Sequence, residues 1–344
     1  MQIDRCTWDE DYKNMTQEIR TGLLKLAHAD NGDYTTVLMQ GSGTFGVESV
    51  LSGVISSTDK VLVLQNGAYS KRMVEMCDYH GIKYVVYEED YAHVPNPAIV
   101  EDVLKSDGNI THISMVHSET TSGLLNNIAA IGELAKKYNK KFIVDAMSSF
   151  GGVDINVPEL GITYLVSSAN KCIQGVPGFS FIIANVSDLK RTKGIARSLS
   201  LDLYAQWETM EKDGGKWRFT SPTHVVAAFS QALKELAAEG GITARNARYT
   251  ATNRALRKGM EELGFKAYID EAHQGQIITT FFYPENCKFT FAKMYAYLKD
   301  HGYVIYPGKL TDAETFRLGN IGEIYMDDVE KILGIFKNFV SAEN

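Results

Sequence analysis

Leu165-Val166-Ser167-Ser168-Ala169-Asn170-Lys171-Cys172-Ile173-Gln174-Gly175-Val176-Pro177-Gly178 is the stretch on which the fold turns. A short apolar run passes into small polar residues, then a lysine, then a Gly/Pro loop. Between Ile155 and Ser187 the only other charged side chain is Glu159, in a chain that is 22% charged. A lysine set in such apolar surroundings loses part of its hydration, which favours the neutral amine. Neutral amines of this kind attack carbonyl compounds and form Schiff bases. For an arbitrary lysine a solvated loop position competes with this reading, so the neighbouring sequence has to carry the rest.

Working outward, apolar β-rich runs alternate with helical stretches. Strands are expected at Thr36–Met39, Val61–Leu64, Lys83–Tyr87, Ile110–Val116, Phe142–Val144, Tyr164–Val166 and Phe179–Ile183. Helices are expected at Met15–Ala29, Gly46–Ile55 and Tyr69–His80. Near-continuous Val/Ile/Leu runs between helices predict an α/β fold with a mostly parallel sheet covered on both faces. Ligands of such sheets bind beyond the carboxyl ends of the strands. The residues standing there are Gly41-Ser42-Gly43, Asn66-Gly67, Ser118-Glu119-Thr120, Asp145 and Ser167-Ser168. Helices at Val225–Ala238 and Ile242–Leu263 follow. Beyond them, strands at Ile277–Phe282 and Tyr303–Tyr306, with helices at Phe289–His301 and Met326–Val340, predict a smaller C-terminal α/β domain. The boundary is placed near residue 240, giving domains 1–240 and 241–344.

The 344 residues carry a net charge of −7 and no Lys/Arg block, which argues against a nucleic-acid partner. No apolar run nears the roughly 20 residues that span a bilayer. Met1-Gln2-Ile3-Asp4-Arg5-Cys6 shows no signal peptide. Cys6, Cys77, Cys172 and Cys287 form no C-x-x-C pair, and the eight histidines form no H-x-x-x-H pair. A reduced, cytoplasmic protein without a metal site is expected.

Gly41-Ser42-Gly43-Thr44-Phe45-Gly46 matches G-x-G-x-x-G, a weak signal alone. A dinucleotide site wants an acidic residue at the end of the next strand, and that strand ends in Gln65-Asn66. The same turn binds a single phosphate through backbone N–H groups and the Ser42 and Thr44 hydroxyls; a plain strand-to-helix turn competes. Asp145 ends its strand at a depth where a carboxylate needs a cation or a donor. A protonated pyridine nitrogen is such a cation, and aspartate there keeps a pyridine cofactor an electron sink; a helix-cap role is an equal alternative. Tyr69, just past Gly67-Ala68, is placed to stack on a flat ring. His117 and Thr120 are placed to touch the same ring. Arg317 carries a planar guanidinium suited to a carboxylate or phosphonate, with a surface salt bridge as its competing reading.

Taken together, these residues resemble the fold-type I pyridoxal phosphate enzymes of the class V aminotransferase group. The resemblance rests on Met115–Thr121, Val144–Gly152, Ser167–Phe179, Ser198–Trp207, Gly215–His224, Ile305–Lys309 and Phe316–Glu323. It implies a large domain built on a seven-stranded sheet and pyridoxal 5'-phosphate as cofactor. Lys171 would be the Schiff-base lysine and Asp145 the partner of the pyridine nitrogen. Ser42, Gly43 and Thr44 would hold the phosphate, and Tyr69 would stack on the ring. Thr120, Met147 and Asn170 would line the ring, and Arg317 would hold the acidic group of the substrate. Thr220 would reach the phosphate in a neighbouring subunit, making a homodimer with a shared active site. The implied reaction moves an amino group between 2-aminoethylphosphonate and pyruvate, giving phosphonoacetaldehyde and alanine; an alanine- or serine-glyoxylate type is the alternative. Group members usually open with an extended Pro/Gly-containing segment, whereas this sequence starts close to Cys6-Thr7-Trp8-Asp9, so a weaker dimer is expected.

Overall fold

The computed structural model describes residues 3–285, 287–310 and 314–343. From the N-terminus, α1 (Glu10–Leu26), β1 (Tyr34–Gln40), α2 (Gly43–Val54), β2 (Lys60–Gln65), α3 (Ala68–Tyr79), β3 (Lys83–Glu88), α4 (Pro97–Ser106) and β4 (His112–Val116) alternate. A short hairpin of β5 (Ser118–Glu119) and β6 (Leu124–Leu125) leads to α5 (Ile128–Lys137), β7 (Lys141–Asp145), β8 (Tyr164–Ser168) and β9 (Phe179–Asn185). Four helices follow: α6 (Val186–Lys190), α7 (Leu203–Lys212), α8 (Thr223–Glu239) and α9 (Gly241–Glu262). The chain closes with β10 (Ile278–Phe282), α10 (Phe291–Asp300), β11 (Tyr306–Pro307), β12 (Thr315–Gly319) and α11 (Met326–Glu343).

Seven strands form the main sheet in the order β1-β9-β8-β7-β4-β2-β3. The contacts among β8, β7, β4, β2 and β3 are parallel. β9 runs antiparallel to both β1 and β8, so β1 points the same way as the parallel set. The carboxyl ends of β1, β2, β4, β7 and β8 therefore share one edge. Strands that are buried from end to end, such as β4 and β8, explain the unbroken apolar runs.

Local chemistry sets the element ends. Helix α1 starts at Glu10, earlier than the expected Met15, because Asp9 caps it and Glu10 and Asp11 fill its first turn. Helix α4 opens on Pro97 behind an Asn96 cap, and α5 behind an Asn127 cap. The strand expected at Tyr303–Tyr306 reduces to β11, since Val304 is exposed and Pro307 has no N–H to continue a ladder.

The second sheet, β10-β12-β11, is antiparallel. It packs an aromatic core in which Phe265 meets Phe316 edge-on at 5.4 Å and Phe336 at 5.8 Å. This buried cluster is separate from the one around the main sheet. A third, small cluster of Cys172, Tyr249 and Ile277 joins the lysine loop, α9 and the entry to β10. Among the described residues no helix is long and apolar enough to cross a membrane.

Candidate active site

At the end of β1, Gly41 takes a φ of +114° and turns the chain into α2. Only glycine enters that region freely. Ser42 is the N-cap residue of α2, yet its hydroxyl makes no capping bond, which leaves the first-turn N–H groups without a side-chain cap. A Cβ on Gly43 would sit 2.2 Å from Sδ of Met147. That close approach draws the α2 N-terminus against the residues that follow β7.

Asp145 ends β7, almost fully buried. One oxygen accepts a hydrogen bond from the Met147 N–H at 2.9 Å. Burial dominates and pushes the carboxyl up to about 7, with Glu119 adding in the same direction. Lys171 lies on the turn after β8 and is half-buried. Its own carbonyl accepts from Gln174 N–H at 2.8 Å, with Gln174 at a left-handed φ of +65°. The next carbonyl, of Cys172, accepts from Nη1 of Arg245 at 2.8 Å. The lysine loop is thus pinned from α9.

Tyr69 sits in the first turn of α3. Buried Glu119 caps that turn, accepting from Ser70 N–H at 3.2 Å, Tyr69 N–H at 3.4 Å and Thr121 Oγ1 at 2.6 Å. Burial raises the Glu119 carboxyl, against these donors. A Cβ on Gly67 would meet the Glu119 carboxyl carbon at 2.2 Å, which is why glycine precedes the helix. Arg317, on β12, is held flat by Nε to Pro307 carbonyl at 3.1 Å and Nη1 to Thr120 carbonyl at 3.0 Å. Burial lowers its pKa.

Ser42, Gly43, Thr44, Tyr69, Thr120, Asp145, Met147, Asn170 and Lys171 line one cavity of about 220 Å³. Two expected residues stand outside the lining. Arg317 stands beside the lining, joined to the Thr120 carbonyl and next to the Tyr69 hydroxyl. Thr220 is exposed on the segment between α7 and α8. His117 also stands outside the lining: it is buried, burial pushes its ring down to about 4, and Nδ1 has no partner among the described residues. Arg72 lines the cavity and was missed in the sequence. Its signal was available, since positions 69 and 72 share one face of a helix. Glu119 stood at the right strand edge but had no role assigned. Glu89, Asp90 and His93 lie close enough together to hold a metal ion, on a surface turn outside the cavity lining.

The sequence profile described as "Aminotransferase class-V" matches residues 7–310. The chain belongs to the class-V aminotransferases. It is 54% identical over 341 residues to a 2-aminoethylphosphonate–pyruvate transaminase of Lysinibacillus sphaericus, covering 99% of this chain and 93% of that one. It is also 54% identical over 338 residues to a bifunctional phosphonoacetaldehyde hydrolase/aminoethylphosphonate transaminase of Clostridioides difficile. There the match covers 98% of this chain but 53% of the relative, so the chain spans about half the length of that protein. The crystal structure of pyridoxamine-pyruvate aminotransferase from Mesorhizobium loti superposes with a TM-score of 0.89 at 23% identity, covering 99% of this chain and 88% of that one. That likeness gives the class-V chain its fold, the fold-type I α/β architecture expected from the sequence.

Proposed function

We propose that this class-V aminotransferase exchanges an amino group between 2-aminoethylphosphonate and pyruvate, giving phosphonoacetaldehyde and L-alanine. The observation that carries the reading is 54% identity over 99% of the chain to a transaminase named for that pair of substrates. The cofactor of the family, pyridoxal 5'-phosphate, fits the residues present. Among the described residues the buried Asp145 carboxyl on the cavity wall has no ion-pair partner in contact, Arg72 and Lys171 acting on it only from across the cavity, and the α2 N-terminus offers an uncapped hydroxyl and N–H groups suited to a phosphate. When bound, the cofactor supplies a carbonyl that condenses with amines and a ring that stores an electron pair.

The protein's own groups divide the remaining work. Among the described residues Lys171 is the one primary amine in the cavity lining. Its Nζ would hold the cofactor's carbonyl carbon with loss of water and, once the substrate amine displaces it, would be free to take the proton from the amino-bearing carbon and return it across the nitrogen, two atoms away, to the former carbonyl carbon. Asp145 holds a proton on the ring nitrogen by charge and hydrogen bonding. Ser42, Gly43 and Thr44 bind the phosphate. Tyr69, Thr120, Met147 and Asn170 set the plane of the ring, and Arg317 holds the acid of each substrate in turn. The two separate buried clusters support a division of the chain near residue 240, where Gly240 at φ +108° joins α8 to α9.

The active site is shared by two copies of the chain in this reading, with Thr220 completing the partner's phosphate site. Support comes from exposed apolar side chains near it. Phe219 is 49% and Leu199 75% exposed, and Arg218 ties them together through Leu199 carbonyl at 2.6 Å. Dilution should then release cofactor as dimers separate, measured by sedimentation and cofactor absorbance together. Free thiols at all four cysteines support a reducing, cytoplasmic setting. The deciding experiment titrates the purified, cofactor-loaded protein with 2-aminoethylphosphonate, L-alanine and L-serine. Loss of the bound-cofactor absorbance band with 2-aminoethylphosphonate supports the reading; a response to the amino acids alone removes it.

A further inference from the structure

Lys309 reaches the candidate site from the far end of the chain. Its Nζ donates to the Tyr69 hydroxyl at 3.1 Å and stands 4.6 Å from the centre of the Tyr69 ring. The same hydroxyl faces Thr120 and Arg317. Lys309 also travels with Arg317. Tyr306 pairs with Arg317 in the β11–β12 ladder, and Gly308 N–H bonds to Thr315 carbonyl at 3.0 Å, so the two cations sit on one small antiparallel unit. Arg72, a third cation beside Tyr69, comes instead from α3 of the main-sheet layer.

The substrates differ in what they ask of this corner. A carboxylate has two oxygens and one charge, which a planar guanidinium matches. A phosphonate has three oxygens and carries up to two charges. Arg317 already directs Nε and Nη1 at backbone carbonyls, so only part of its fork faces a ligand. The third oxygen and second charge need another donor. A compact ammonium on a flexible stem suits them as a point charge. Resting on Tyr69, it is held close, and among the described residues no carboxylate pairs with it.

We propose that Lys309 is the specificity-determining residue for the phosphonate: with Arg317 it forms a two-cation site that prefers a dianionic phosphonate over a carboxylate. This rests on the assignment of 2-aminoethylphosphonate as amino donor. Pyruvate and L-alanine use Arg317 and gain little from Lys309.

The test uses the cofactor-loaded protein and the variants Lys309→Gln and Lys309→Arg. Calorimetry measures binding of ethylphosphonate and propanoate, two unreactive ligands with the same carbon chain. Lys309→Gln should weaken ethylphosphonate about tenfold more than propanoate, and Lys309→Arg should restore most of the difference. In turnover, Lys309→Gln should lower kcat/KM for 2-aminoethylphosphonate about tenfold more than for L-alanine. The gap should shrink below roughly pH 6, where a phosphate-type group falls to one charge. Equal losses on both ligands and both donors, or no loss on either, overturn the proposal while leaving the transaminase reading intact. Wild-type protein that binds ethylphosphonate in a Lys309-dependent way but does not turn over 2-aminoethylphosphonate overturns the substrate assignment and leaves the two-cation site standing.

Discussion

The Tyr249 hydroxyl accepts a 2.7 Å hydrogen bond from Nε2 of Gln174, three residues beyond Lys171. It also accepts from Gly322 N–H at 3.3 Å, and the Tyr249 carbonyl accepts from Nδ2 of Asn320 at 3.0 Å. One buried side chain on α9 therefore ties the lysine loop to the segment that leaves β12, the strand of Arg317. With Arg245 bonded to Cys172 carbonyl, α9 is the common support for both halves of the site.

Tyr249→Phe should keep the fold, because the ring stays in its cluster with Cys172 and Ile277. Losing the hydroxyl leaves the half-buried Gln174 amide and Gly322 N–H short of an acceptor. A cost of about 1 kcal/mol in stability is expected, with turnover reduced more than cofactor affinity. Thermal unfolding and kcat measured together check it; unchanged values in both would mean that the clamp carries no strain between loop and strand.

Lys171→Ala should abolish transamination. Among the described residues no other lining residue supplies an amine, so neither the covalent attachment nor the proton transfer has a substitute. The variant should still take up cofactor through the α2 N-terminus, without the absorbance of the lysine adduct. Near wild-type turnover would remove Lys171 from the mechanism.

Asp145→Asn yields two readouts. With cofactor bound, the amide cannot hold the ring proton by charge, and turnover should fall by the equivalent of a few kcal/mol of barrier. Without cofactor, the sign is set by linkage. The folded carboxyl sits at about 7 against an ordinary 3.8, so the fold prefers the protonated acid. Its stabilising share is complete below about pH 4 and is lost as pH rises through 7. The asparagine variant lacks that loss. Cofactor-free Asp145→Asn should therefore gain on wild type between pH 4 and 7, by up to roughly 4 kcal/mol. His112 and His117, pushed down to about 4 by burial, titrate with the opposite sign in both proteins and drop out of the difference. A flat difference across that range would place Asp145 in contact with solvent or a cation.

Arg317→Lys keeps the charge and removes the fork. The bonds to Pro307 and Thr120 carbonyls go with it. KM for both 2-aminoethylphosphonate and pyruvate should rise at least tenfold, with cofactor affinity nearly unchanged. If KM rises for the phosphonate alone, the carboxylate is held elsewhere.

The edge of the sheet was legible in the sequence because parallel, doubly buried strands write themselves as unbroken apolar runs. The polar residues after β1, β2, β4, β7 and β8 then fall on that edge. Nine residues expected at the cofactor do line a single cavity, since each is adjacent in the chain to a strand end that the pattern already located. Lys171 stood out by charge isolation, a purely local property, and Asp145 by its place at the end of a buried strand.

Tertiary structure decided the rest. The reversal of β9 depends on which strand it meets, and its composition is the same for either direction. The caps on α3 come from Glu119, 49 residues past Ser70, and a carboxylate announces no such partner from its own neighbours. His117, expected against the ring, is buried and stands outside the cavity lining. Thr120 meets Arg317 across 197 residues and Tyr69 meets Lys309 across 240. Hydrophobic periodicity and turn chemistry report on a few residues either side of a position. Which charged and polar groups converge is set by how the sheet and the small aromatic core dock, and that docking is a balance of packing over the whole chain.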